Sequence, residues 1–186
     1  KEDENAFNKV YFHKLGTQQS ADQLIYENPQ DKELMFSPVV TDDGRYLFLY
    51  VSRGTDPKNM LYYQDLSQPG SPIVKLIDKQ EALYNFIDNV GTTVYLQTDK
   101  DAPRGQVISM NLAEPGAPKT VVATSQDVID YVVMVNDRLF LATMRDAHHI
   151  VKMYDLAGKP LGELALPGIG SVSGLSGKRS DKDLFM

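Results

Sequence analysis

The chain has 186 residues, 42% hydrophobic and 24% charged, which suits a globular protein with a sizeable core and excludes a disordered one. Lys and Arg number 19 against 25 Asp and Glu, so the net charge is −6, the wrong sign for a nucleic-acid surface. Cysteine is absent, which removes disulfides, thiolate nucleophiles and zinc–thiolate sites and fits a reducing compartment, and no apolar run approaches the ~18–20 residues of a membrane helix.

The chain opens on Lys1-Glu-Asp-Glu-Asn, which is charged, lacks a signal-peptide apolar region, and starts abruptly, as a piece of something longer would. Val10–Leu15 and Gln23–Glu27 read as a strand pair joined by Gly16–Ser20, like the last two strands of a four-stranded unit. Val39–Pro72 then sets the pattern for the rest. Asp43-Gly44 predicts a two-residue hairpin turn, since Gly supplies positive φ without steric cost. Tyr46–Val51 is aromatic and β-branched, as a buried strand should be, and Tyr62–Leu66 predicts a strand stopped by Pro69-Gly70.

The same phrase returns twice. Leu61–Leu66 (LYYQDL) is echoed by Val107–Leu112 (VISMNL) and Val151–Leu156 (VKMYDL), a period of about 45 residues. Each is followed by a Pro-containing loop: Ser67–Pro72, Ala113–Pro118 and the shorter Ala157–Pro160. Each is preceded by a hairpin signal: Asp42–Arg45, Asn89–Thr92 and Val135–Arg138. Four short strands recurring at this period are the signature of β-propeller blades. The expected fold is all-β: a half blade at 10–27, blades at about 36–78, 82–124 and 128–167, and a half blade at 171–186, where Leu184-Phe185-Met186 begins a second strand. Gln80–Asn85 is the nearest thing to a helix, but Phe86 and Ile87 suit a strand better. The terminal halves have two ways to pair, within one chain to close a small ring or between chains as a strand-swapped dimer.

No residue pattern makes an autonomous active site. The nucleophile elbow G-x-S-x-G is missing around Ser173 and Ser176, so the Ser/Gly-rich run 170–180 reads as turns. His148 and His149 are adjacent and point to opposite faces of a strand, and His13 lies on another, so no metal or cofactor is expected. Asp42-Asp43 and Asp99-Lys100-Asp101 lack calcium-loop spacing and read as turn formers bonding nearby amides. The ten tyrosines, paired as in Tyr62-Tyr63, fit core packing better than a stacking surface.

The segments Val10–Ser20, Val39–Tyr46, Gly54–Asn59, Leu61–Leu66, Val74–Asp78 and Gly170–Gly177 resemble, in order, the propeller of the prolyl oligopeptidase family, serine peptidases that cleave short peptides after proline. The resemblance implies a seven-bladed propeller over an α/β-hydrolase domain that carries a Ser-Asp-His triad and is absent here. The propeller would admit short proline-containing peptides, with no role for nucleic acid or membrane. No catalytic residue is therefore expected in this chain, and it should be inactive alone.

The same resemblance makes Met35 and Thr55 substrate-binding residues of the apolar pocket beside the proline site. Thr55 stands where the mammalian enzyme has a cysteine, so thiol sensitivity there should be missing, and Leu34 replaces a common aromatic. The plainer reading makes Met35 core filler and Thr55 a turn cap. A cytoplasmic location is expected, or a periplasmic one if the parent carries a removed signal peptide. Two alternatives stand beside this reading: a non-enzymatic propeller scaffold for protein partners, and the propeller of a sibling oligopeptidase cleaving after basic residues.

Overall fold

The structure is a computed structural model that describes residues 6–114 and 116–186. The charged start, Lys1–Asn5, lies outside the described residues, as does Pro115 of the second Pro-containing loop. The chain divides into two compact units, residues 1–82 and 83–186. Among the described residues the only helical element is a single 3-10 turn, Gln19–Ala21, and no helix is long and apolar enough to cross a membrane.

The first unit holds a two-stranded sheet, β1 (Lys9–Phe12) with β2 (Gln23–Glu27), and an antiparallel meander of β3 (Leu34–Val40), β4 (Tyr46–Arg53), β5 (Met60–Asp65) and β6 (Val74–Ile77). The meander forms because its second strand is a near-continuous apolar run. Tyr46, Phe48, Leu49 and Val51 are almost wholly removed from water, so both faces of β4 are covered. Each such side chain contributes about 1.5–3 kcal/mol on burial. On one face Leu34, Leu49, Val51 and Tyr62 pack with Val10, Ile25 and Tyr26 of the two-stranded sheet. Tyr26 meets Phe36 edge-on at 5.1 Å between ring centroids, a favoured aromatic geometry.

The second unit repeats the meander twice. One sheet is β7 (Tyr84–Val90), β8 (Thr93–Thr98), β9 (Gln106–Asn111) and β10 (Lys119–Val122); the other is β11 (Val128–Val135), β12 (Arg138–Arg145), β13 (His148–Asp155) and β14 (Pro160–Glu163). Tyr95 and Val107 of the former share a core with Ile129, Leu139 and Leu141 of the latter. The echoed segments at 61, 107 and 151 all fall on the third strand of a sheet.

Turn chemistry follows the residues, with one correction. The Asp43-Gly44 turn is wider than the two residues expected. Thr41 and Tyr46 close it, with Thr41 N donating to Tyr46 O at 2.9 Å and Tyr46 N to Thr41 Oγ1 at 3.0 Å. Asp43 Oδ1 accepts from the Thr41 hydroxyl at 2.6 Å and from Arg45 N at 3.0 Å. These side-chain bonds satisfy the loop, so the strands need not close on Asp43-Gly44 alone, although Gly44 does take φ +72°. A true two-residue turn occurs at Asn136-Asp137, both at positive φ, between the paired Val135 and Arg138.

The two chain ends also differ from expectation. β1 stops at Phe12, because Thr17 N and its hydroxyl both bond Lys14 O and turn the chain there. Beyond β14, residues 171–186 carry one antiparallel bridge, Ser176 with Phe185, and no strand at Leu184–Met186. Gly174 and Gly177, both at positive φ, bend this segment instead of extending it.

Candidate functional site

β-alternation sends Leu34 and Met35 to opposite faces. Leu34 is buried in the apolar core, whereas Met35 keeps 46% of its surface exposed, so Met35 is not core filler. In register, Met35 faces Ser52 and Leu34 faces Arg53. Just beyond Arg53 the chain turns through Gly54-Thr55-Asp56, with Asp56 N donating to Arg53 O at 3.3 Å. Thr55 is exposed and caps nothing; the loop is held by Asp56 Oδ1, which accepts from Lys58 N at 2.9 Å. Met35 and Thr55 thus lie at one end of one sheet, the end where its first strand begins and its second strand finishes.

That end is braced by charges the sequence reading did not single out. The Arg53 guanidinium bonds the Asp31 carboxylate and reaches Glu33 Oε2 at 3.4 Å. The same position in the last sheet is again an arginine. Arg145, the final residue of β12, donates to Asp127, the residue before β11, and Lys152 Nζ adds a third bond to Asp127 Oδ2 at 2.6 Å. The Arg145 and Lys152 hydrogen bonds hold the Asp127 carboxyl far below the usual carboxylate range. In the middle sheet a carboxylate does the same work against backbone: Asp99 Oδ1 accepts from Leu83 N at 2.7 Å. Each meander therefore ties the entry of its first strand to the exit of its second. An arginine or aspartate stands at the exit of each second strand, at Arg53, Asp99 and Arg145, but its partner is not legible locally.

The remaining candidates are structural. His149 is buried, and its Nδ1 accepts the Val172 N–H at 2.8 Å, while Nε2 lies 3.2 Å from Asp130 Oδ2. His13 bonds Asp22 at 2.6 Å. No cluster of three metal-binding side chains occurs among the described residues. Tyr62 and Tyr63 are buried, and burial raises the pKa of both phenols. Within the first unit an apolar cavity of about 510 Å³ sits at the opposite end of the sheet from Met35 and Thr55, against Val40, Leu47 and Leu66.

Consecutive four-stranded antiparallel meanders in an all-β chain define a β-propeller domain. Residues 1–186 match the family described as prolyl oligopeptidase, N-terminal beta-propeller domain, and the chain belongs to that family. Among relatives, the prolyl endopeptidase of Elizabethkingia meningoseptica is 37% identical over 180 residues, spanning 95% of this chain and 25% of the relative. A solved prolyl endopeptidase, from a study of two such enzymes and their inter-domain dynamics, superposes with a TM-score of 0.90 at 35% identity over 94% of this chain and 26% of that one. Prolyl oligopeptidase B from Galerina marginata, bound to a 35mer hydrolysis and macrocyclization substrate, gives a TM-score of 0.86 at 25% identity over 95% of this chain and 25% of that one. The chain spans about a quarter of the length of these proteins.

Proposed function

We propose that this propeller gates and shapes the substrate chamber of a longer serine peptidase that cleaves short peptides after proline. The carrying observation is the placement of Met35 and Thr55: both at one end of one sheet and both outside the buried core. An exposed thioether is an adaptable apolar wall for a proline ring. A threonine methyl and hydroxyl beside it offer one apolar and one hydrogen-bonding contact. The Arg53–Asp31–Glu33 brace fixes the strand ends that present them.

The chemistry itself, attack of a serine on the prolyl carbonyl with proton transfer through histidine, belongs to the hydrolase part of the parent polypeptide. The chain alone is accordingly inactive. Incubating the purified protein with a chromogenic prolyl peptide tests this: no turnover above the buffer rate is expected. Hydrolysis that copurifies with the protein and scales with its concentration overturns the assignment.

A further inference from the structure

After β14 the chain is tied back onto its own sheet, and one histidine provides two of the ties. His149, the second residue of β13, is 5% exposed. Its Nδ1 accepts the Val172 N–H at 2.8 Å, and its backbone N–H donates to Gly170 O at 2.9 Å. From β11, the Tyr131 hydroxyl donates to the Val172 carbonyl at 3.0 Å, and the Tyr131 ring meets the imidazole edge-on. The Val172 side chain packs on the core of Val135, Phe140 and Val151. Residues 170–172 are thus a strap held to β11 and β13 by groups that are present and paired.

The tie requires one protonation state. A ring nitrogen that accepts a backbone N–H must carry a lone pair, so His149 is neutral with its proton on Nε2. A second proton would set N–H against N–H at Nδ1 and remove the bond. The other side of the ring favours that proton. Nε2 lies 3.2 Å from Asp130 Oδ2, not aligned for a hydrogen bond but close enough for the carboxylate to attract an imidazolium. The groups facing the ring are few. β11 brings Asp130 and Tyr131, β12 sets uncharged Met144 opposite His149 in register, and Gly170-Ser171-Val172 carries no charge.

We propose that His149 is an acid-operated latch. Neutral, it holds residues 170–172 on the sheet; protonated, it releases the Val172 amide and the strap opens locally. The Val172 bond favours the neutral ring and Asp130 the charged one, so the two states are set against each other. The sign follows: the hold is complete at high pH and is lost as the imidazole takes up its proton. An amide oxygen would accept the Val172 N–H at any pH, whereas the imidazole makes the bond conditional. The inference rests on contacts within the second unit and does not depend on the peptidase reading.

The test follows backbone amide protection and the His149 ring nitrogens by NMR in the whole chain at pH 8 and pH 5, the span in which an unperturbed imidazole gains its proton. At pH 8 the ring should be the Nε2–H tautomer and the Val172 amide protected. At pH 5 the ring should be charged and Val172 protection, corrected for the intrinsic pH dependence of exchange, should fall about tenfold or more. Leu112, whose amide bonds Thr92 O at 2.8 Å, should keep its protection. His149→Asn, which leaves an acceptor near the Nδ1 position, should hold Val172 equally at both pH values. Asp130→Asn, at a side chain 56% exposed, should move the release to lower pH. A ring that charges while Val172 stays protected overturns the proposal, as does a ring still neutral at pH 5. Equal loss at Val172 and Leu112, or release at an unchanged pH in Asp130→Asn, overturns it too.

Discussion

Asp127 and Arg145 meet side-on, Nε to Oδ1 at 2.9 Å and Nη2 to Oδ2 at 2.6 Å, although one residue precedes β11 and the other ends β12. Asp127 is only 6% exposed, Arg145 44%, and Lys152 closes the cluster from β13. The carboxylate is thus the common anchor of three successive strands. Asp127→Asn removes charge-assisted bonds whose loss costs about 2 kcal/mol. The thermal midpoint should drop by about 4–8 °C, and a shift below one degree would show that the cluster does not brace the sheet.

The same carboxylate sets an acid limit. Its folded pKa lies well below the ~3.9 of an unfolded Asp. Its contribution is therefore complete above that unfolded value and disappears as pH falls further toward the folded one. Urea midpoints of the natural chain should decline between about pH 4 and pH 2 more steeply than those of Asp127→Asn. Parallel curves for the two proteins would refute the assignment.

Gly158 takes φ +85°, and a Cβ built there would stand 1.9 Å from the Val121 carbonyl oxygen. Because the obstacle is backbone, no side chain can swing away. Gly158→Ala should cost about 3 kcal/mol or more, combining overpacking with left-handed strain. Gly44→Ala, with φ +72° and open space around it, should cost only about 1 kcal/mol. Equal urea midpoints for the two variants would show that the approach of residue 158 to residue 121 is not as drawn.

Gln97 answers a defect in the neighbouring sheet. The register of β11 slips between Ile129 and Tyr131, and buried Gln97 donates Nε2 to both the Ile129 and Asp130 carbonyls at 3.3 Å. Gln97→Met fills the same volume but strands those acceptors, at a cost of about 1–3 kcal/mol. Denaturant unfolding should show the loss, with accelerated amide exchange around residues 129–131. Unchanged exchange there would leave Gln97 as simple filler.

The local rules carried the fold a long way. The echo of Leu61 at Val107 and Val151 marked every third strand, whereas the residues alone read Met35 as core filler and the structure leaves it 46% exposed. What stayed hidden depends on partners distant in sequence. Nothing local ties Asp127 to Arg145 and Lys152, or His149 to Val172, because only the packed sheets bring them together. The width of the Asp43-Gly44 turn was missed for a related reason: the side chains of Thr41 and Asp43 compete with backbone closure. The β1 end was overextended because Lys14-Leu15 looks like strand until the Thr17 turn is seen. At the candidate site, Met35 was singled out only through the family resemblance, and the Arg53 brace beside it was not legible locally.

Met35 and Thr55 are proposed to act on substrate rather than on the fold. The direct measurement grafts residues 1–186 in place of the matching quarter of the Elizabethkingia meningoseptica prolyl endopeptidase. It then compares kcat/KM on a short prolyl peptide for the graft and for its Met35→Ala and Thr55→Ala variants. The account predicts an active graft, roughly a tenfold loss for Met35→Ala (about 1.4 kcal/mol of transition-state stabilisation) and a smaller loss for Thr55→Ala, with thermal midpoints unchanged. An active graft whose variants cleave as fast as the unsubstituted protein would contradict it.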